Sequence, residues 1–137
     1  MSKIPKASRR KDTAKGSAGR KILSHDLFRM HLGELGLDFI TEHPVTPERK
    51  WRYDFYLPDR AIAIEIEGGV YTRGRHVRPA GFIGDCEKYN TAAMLGVKVL
   101  RFPTDQIISG EAKRWIAKHI NDGLSGAARA WYGHCSK

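Results

Sequence analysis

Two glutamates stand two residues apart in a segment with the pattern of a β-strand. Residues 61–67 run Ala-Ile-Ala-Ile-Glu-Ile-Glu. Because alternate side chains of a strand point to opposite faces, Glu65 and Glu67 share one face and the isoleucines share the other. At about 3.3 Å per residue the two carboxylates would lie roughly 6–7 Å apart and would repel each other. A divalent cation between them would relieve that repulsion. The alternative interpretation is an exposed strand face with solvated acids.

A third acid can join this pair. Asp54 lies in the alternating segment 51–57, and the tight-turn sequence at 57–60 connects it directly to the glutamates. A hairpin at this turn places Asp54 beside Glu65, so three carboxylates would converge on one sheet face. Oxygen ligands of this kind suit Mg²⁺ or Mn²⁺, which take substrate phosphate oxygens as further ligands. Such a metal would activate a water molecule and neutralise charge on the phosphate.

The helices and strands that must position these acids are predicted from the periodicity of apolar residues and from the residues that begin or end such elements. Ser24 is predicted to cap a first helix that ends at Gly36, and Asp85 to open a second that ends at Gly96. Strands are predicted at 39–45, 51–57, 61–67 and 97–102, and Ser109 is predicted to cap a last helix. Short connections make the first three strands antiparallel, whereas the helical crossover makes the fourth parallel to the third. The prediction is an α/β fold with a mixed four-stranded sheet flanked by helices.

Charge is unevenly distributed along the 137 residues. Residues 1–21 hold eight lysines and arginines against one aspartate, so they carry +7 of the net charge of +9. We therefore predict a disordered basic arm at 1–21, a folded domain at 22–122 and a peripheral extension at 123–137. Basic arms commonly bind polyanions. A contribution to solubility alone is the other interpretation of the arm.

The sequence disfavours a membrane protein and a protein stabilised by disulfides. No apolar run approaches the 18 residues of a membrane span, and no apolar segment of signal-peptide type follows the basic N-terminus. Cys86 and Cys135 lack the spacing of a zinc site or a disulfide framework. These features predict a protein of a reducing cytosol, without membrane association.

The joint pattern resembles the PD-(D/E)xK nuclease superfamily. The matching stretches cover roughly residues 24–105, and they are Arg-Tyr-Asp-Phe at 52–55, Ala-Ile-Glu-Ile-Glu-Gly-Gly at 63–69, Gly-Arg-His-Val-Arg at 74–78, Asp-Cys-Glu-Lys-Tyr-Asn at 85–90 and Leu-Gly-Val-Lys-Val-Leu-Arg-Phe at 95–102. The likeness is greatest to small phage and prophage endonucleases related to the very-short-patch-repair type. It implies a restriction-endonuclease-like core and a cytoplasmic location in a bacterium or a phage-infected host.

The resemblance also implies the metal ligands. Asp54 and Glu65 match the two core ligands, and the backbone carbonyl of Ile66 would be a third. Tyr53 stands where the superfamily has proline. Glu67 stands where it has the lysine that orients or deprotonates the attacking water, so Glu67 would act as ligand or base.

Other residues are second candidates for the chemistry. Lys88, on the helix after the glutamates, would replace the missing lysine or be an ordinary solvated side chain. His76 matches a loop histidine that would activate water or protonate the leaving 3′-oxygen, or would only contact phosphate. The first helix offers Asp26 or Glu34 as a further acid.

Arginines and lysines of the loop, the last strand and the arm would contact DNA phosphates. For Arg101, structural pairing with an acid is the alternative. The predicted DNA-binding residues are Arg73, Arg75, Arg78, Arg101, Arg9, Arg10 and Lys11.

Together these features predict a Mg²⁺- or Mn²⁺-dependent endodeoxyribonuclease of phage, repair or recombination type. Specificity would come from DNA structure or a recruiting protein, and pairing into a homodimer is a further possibility. The alternatives are a non-catalytic nucleic-acid binder on the same fold and an RNA-cleaving nuclease.

Overall fold

A four-stranded sheet organises the chain. The structure is a computed structural model that describes residues 13–68 and 79–121. The strands, in spatial as well as chain order, are β1 Ile40–Pro44, β2 Arg52–Leu57, β3 Ile62–Glu67 and β4 Lys98–Pro103. β1, β2 and β3 pair antiparallel, whereas β3 and β4 pair parallel. The predicted mixed sheet is confirmed.

Helices pack on both faces of this sheet. They are α1 Thr13–Glu34, α2 Pro79–Met94, α3 Thr104–Ile108 and α4 Glu111–Ile116. A turn of π-helix, Ala117–Asn121, continues α4, and a 3₁₀ turn, Pro58–Arg60, joins β2 to β3. α2 lies between β3 and β4 in sequence, as the crossover between parallel strands requires.

The two faces of the sheet bury separate apolar clusters. The larger cluster joins α1, α3 and α4 to the sheet and includes Phe28, Phe55, Ile64 and Ile116. The smaller lies against α2 and contains Val45, Tyr53, Ala63 and Ala92. Alternation along β3 explains the division, since Ile64 and Ala63 are adjacent and face opposite ways. We call these sides of the sheet the α1 face and the α2 face.

Glycine ends both long helices, as predicted. Gly36 has φ of 68° and Gly96 has φ of 76°, in the left-handed region that glycine adopts without a steric cost. After α1, Leu37 N–H donates to the Leu32 carbonyl and Gly36 N–H to that of Gly33. The matching pair of bonds closes α2. These are Schellman motifs, which satisfy the last carbonyls of each helix.

The predicted helix starts are wrong. α1 begins at Thr13 rather than at Ser24, which lies fully buried within the helix. Residues 13–21 of the predicted arm are thus helical. Alanine, lysine and arginine in this stretch favour helix, so they extend a helix whose apolar residues begin farther along the chain. Residues 1–12 lie outside the described part.

The other two starts also differ from the prediction. α2 begins at Pro79 rather than at Asp85, since a proline with its fixed φ suits a first helical turn. The last helical segment is divided, with α3 starting directly after β4. Gly110, whose φ is 80°, is the N-cap residue of α4 in place of Ser109.

Within the two described ranges, no helix combines the length and the apolar character needed to cross a membrane.

Candidate active site

Asp54 lies where β2 and β3 separate. The last β2–β3 pair in register is Phe55 with Ile64, so Asp54 would come next, opposite Glu65. In place of a further backbone bond, Asp54 Oδ2 accepts the Ile66 N–H at 2.8 Å. The Asp54 carboxylate therefore lies between the two strands, beside Glu65, its predicted neighbour.

A local distortion accompanies this position. Tyr53 packs in the cluster against α2, whereas Phe55, two residues later, packs against α1. A regular strand would send both to the same face. On the neighbouring strand Glu42 has φ of 53°, and the β1–β2 register passes over it between Thr41 and His43. The alternation of side chains between the two faces is therefore interrupted in β2 at Asp54.

His25 approaches Asp54 from α1. Its Nε2 lies 3.3 Å from Asp54 Oδ1, and its ring stacks on Phe55 with centroids 5.9 Å apart. His25 was not among the predicted site residues, because the residues predicted on α1 were acids. Of the two acids considered, Asp26 is exposed and Glu34 pairs with Lys113. A usable signal was present, since His25 precedes the buried Phe28 by three residues on the same helix face.

Glu65 is enclosed and held by Lys88. Lys88 Nζ lies 2.5 Å from Glu65 Oε1 and donates a second bond to the Arg52 carbonyl at 2.7 Å. Burial raises the pKa of Glu65 above its ordinary value, against the opposing effect of Lys88. The charges of Asp54 and Glu67 raise this pKa further, which places both acids within electrostatic range. The structure thus brings Asp54, Glu65 and Lys88 together; their chemical roles stay predictions.

Glu67 has a different partner. Its Oε1 accepts a bond from Arg101 Nε at 2.7 Å. The Arg101 guanidinium carbon lies 4.7 Å from the centre of the Tyr89 ring, a cation–π distance. Arg101 is also the β4 residue in register with Glu65. The pairing considered as the alternative for Arg101 is therefore present.

Metal binding at this site would rest on few protein ligands. Among residues 13–68 and 79–121, no group of three or more His, Cys, Asp or Glu side chains is arranged to hold an ion. Asp54 and Glu65 nevertheless fit Mg²⁺, which is usually bound through one or two carboxylates together with water and substrate phosphates. Burial raises the pKa of Glu65 most, and the charges of Asp54 and Glu67 add to this effect; a divalent cation would relieve their repulsion.

Several predicted site residues lie outside the described ranges. They are His76, Arg73, Arg75, Arg78, Arg9, Arg10 and Lys11. The predicted peripheral extension at 123–137 is likewise outside them.

Comparison with known proteins identifies the fold. No protein-family model matches the chain, and no curated protein matches it. Among solved structures, the chain is similar to the Homing Endonuclease I-Bth0305I Catalytic Domain. The two are 24% identical with a TM-score of 0.56, over 74% of this chain and 97% of that domain. The chain therefore has an α/β fold seen in a nuclease catalytic domain, with Asp54 and Glu65 together at the edge of its central hairpin.

Proposed function

We propose that this chain is a divalent-metal-dependent endonuclease that hydrolyses phosphodiester bonds in DNA. One observation carries the proposal: Asp54 and Glu65 meet between β2 and β3, in a fold similar to that of a homing endonuclease catalytic domain. A fold by itself is compatible with many activities, so the acid pair is needed to give the proposal a site.

The chain's own residues would prepare the site for the metal. When bound, Mg²⁺ or Mn²⁺ would supply an activated water and neutralise charge on the phosphate. Asp54 and Glu65 would hold it, with the Ile66 carbonyl as a further ligand. Hydrogen-bond partners orient both carboxylates, since Ile66 N–H binds Asp54 and Lys88 binds Glu65. Partners of this kind fix ligand geometry before the metal arrives.

The substrate would be duplex or branched DNA, recognised by its structure more than by its sequence. A phage, repair or recombination setting is part of this proposal. His76 would take part in proton transfer, and Arg73, Arg75 and Arg78 would contact phosphates, as the resemblance implies.

The test is a cleavage panel with Mg²⁺ or Mn²⁺ on duplex, nicked, single-stranded and four-way DNA. Glu65→Gln keeps the side-chain shape and removes a ligand charge, and Asp54→Asn does the same at the other ligand. Glu87→Gln is the matched control, because Glu87 is an exposed acid adjacent to Lys88 whose partner is the exposed Arg49. We expect a loss of about 100-fold or more in both site variants, equivalent to about 2.7 kcal/mol of activation free energy, and none in the control.

Metal binding provides a second readout. Mn²⁺ should raise the melting temperature of the wild type and of Glu87→Gln, but not of Glu65→Gln, since binding to the folded state stabilises it. DNA binding without a Mn²⁺ shift and without cleavage would instead identify a non-catalytic binder. Preferential cleavage of RNA of the same sequence would identify an RNA nuclease. Equal cleavage by wild type and Glu65→Gln would refute the site.

A further inference from the structure

Arg101 has two side-chain partners and lies beside the candidate metal ligands. It is in register with Glu65 on the neighbouring strand, so their backbones lie about 4.8 Å apart. Both side chains share the α2 face, because Glu65 follows Ala63 and Arg101 follows Val99 by two residues. Glu67 accepts a bond from Nε, and the guanidinium carbon lies over the Tyr89 ring.

This arrangement leaves one edge of the guanidinium available. In the described part of the chain, the two terminal nitrogens of Arg101 have no hydrogen-bond partner, and its side chain is 47% exposed. Those nitrogens form the planar fork that binds two oxygens of one phosphate. Because Glu67 and Tyr89 both contact the guanidinium, less conformational entropy should be lost when the fork binds.

Lys88, the other cation at the site, is poorly placed for this task. Its side chain is 12% exposed, and its amino group is already bonded to Glu65 and to the Arg52 carbonyl. A phosphate would have to displace one of those bonds. Of these two cations, Arg101 is therefore the one that can bind a ligand beside Glu65 without breaking an existing bond of the site.

We propose that Arg101 binds the non-bridging oxygens of a DNA phosphate beside Glu65, and that Glu67 is a positioning residue for Arg101 rather than a metal ligand. The proposal rests on the proposed function, because it takes the DNA phosphodiester as the ligand. It assigns a ligand to the open edge of Arg101 and a role to Glu67.

The test is the affinity for a duplex of fixed sequence, measured by fluorescence anisotropy at several salt concentrations in EDTA. Arg101→Gln should bind about 10-fold more weakly, as for loss of a charged hydrogen-bonded contact, and its log–log salt slope should fall by about one. Arg101→Lys keeps the charge but not the fork, so its slope should stay near that of the wild type while affinity falls.

Arg49→Gln is the matched control. Arg49 also lies over an aromatic ring, 4.9 Å from the centre of Trp51, and pairs with a glutamate, Glu87. It is not in register with Glu65. Its variant should bind DNA within about twofold of the wild type, because the phosphate contact proposed here is intact.

Glu67→Gln separates positioning from ligation. If Glu67 only positions Arg101, this variant keeps the Mn²⁺-dependent rise in melting temperature and the salt slope, but binds DNA about threefold more weakly. Loss of the Mn²⁺ shift in Glu67→Gln, or unchanged affinity and salt slope in Arg101→Gln, overturns the proposal. The measurements use no cleavage, so a failure of the nuclease proposal appears separately, in the Glu65→Gln comparison.

Discussion

Glu65 and Glu67 lie two residues apart on the same face of β3, yet they occupy different environments. The side chain of Glu65 is 13% exposed and that of its partner Lys88 is 12% exposed. For the pair of Glu67 and Arg101 the values are 30% and 47%. One pair is enclosed beneath α2, and the other opens to solvent at the end of the strand.

The cations differ in a way that matches these environments. Lysine is a compact point charge, and Lys88 Nζ donates hydrogen bonds to Glu65 and to the Arg52 carbonyl. Arginine has a planar group with several donors. Arg101 bonds Glu67 through Nε, and in the described residues its two terminal nitrogens have no hydrogen-bond partner. The enclosed pair is thus suited to hold a carboxylate in place, and the open pair is suited to receive a ligand from solution.

The largest effect on stability is expected for Lys88→Met in the metal-free protein. Removing one partner leaves Glu65 enclosed without a counter-charge, so we expect a loss of about 2–4 kcal/mol in the free energy of unfolding, measured with urea. This is below the full cost of a wholly buried pair, because Glu65 keeps some exposure. Lys98→Met, at an exposed lysine on β4, should change stability by no more than about 0.5 kcal/mol.

A double variant distinguishes an unpaired charge from lost packing. Glu65→Leu together with Lys88→Met replaces the pair with apolar groups, and it should recover at least about half of the loss. If Lys88→Met alone were as stable as the wild type, Glu65 would be as well solvated as Glu67. The comparison between the two glutamates would then fail.

The sequence predicted what local patterns determine. Alternation along 61–67 and the tight turn before it placed Asp54 next to Glu65, because a hairpin register follows from its turn. The helix ends at Gly36 and Gly96 followed from the φ angles that glycine permits. Both features depend on neighbouring residues alone.

Long-range contacts were harder to predict. The position of His25 three residues before Phe28 indicates that it faces the sheet, but its contact with Asp54 depends on where α1 crosses that sheet. The distortion at Asp54 coincides with the positive φ of Glu42, a residue of another strand. Lys88 was a reasonable candidate, yet its bonding to Glu65 rather than to solvent depends on how α2 packs on the α2 face.

A second test uses the pH dependence of stability without metal. Burial raises the pKa of Glu65 above the ordinary 4.5, so the folded state keeps its proton where the unfolded chain has released it. The stability contributed by this group is therefore fully present below pH 4.5 and is lost as pH rises through the folded pKa. Wild type should lose stability relative to Glu65→Gln from pH 4 to 7, as measured by urea unfolding. The opposite trend would mean that Lys88 outweighs burial.

The smallest effect is expected at the open pair. Glu67→Gln removes an ion pair that water already screens, so the free energy of unfolding should fall by about 0–1 kcal/mol. Raising the salt concentration to 1 M shortens the Debye length to about 3 Å and should remove most of that difference. The cost of Lys88→Met should persist in the same salt, because ions screen an enclosed charge poorly. The two salt series therefore measure how far each charge is shielded from solvent. If salt reduced the stability loss equally in both variants, α2 would not shield Glu65. The division of roles between Glu65 and Glu67 would then have no physical basis.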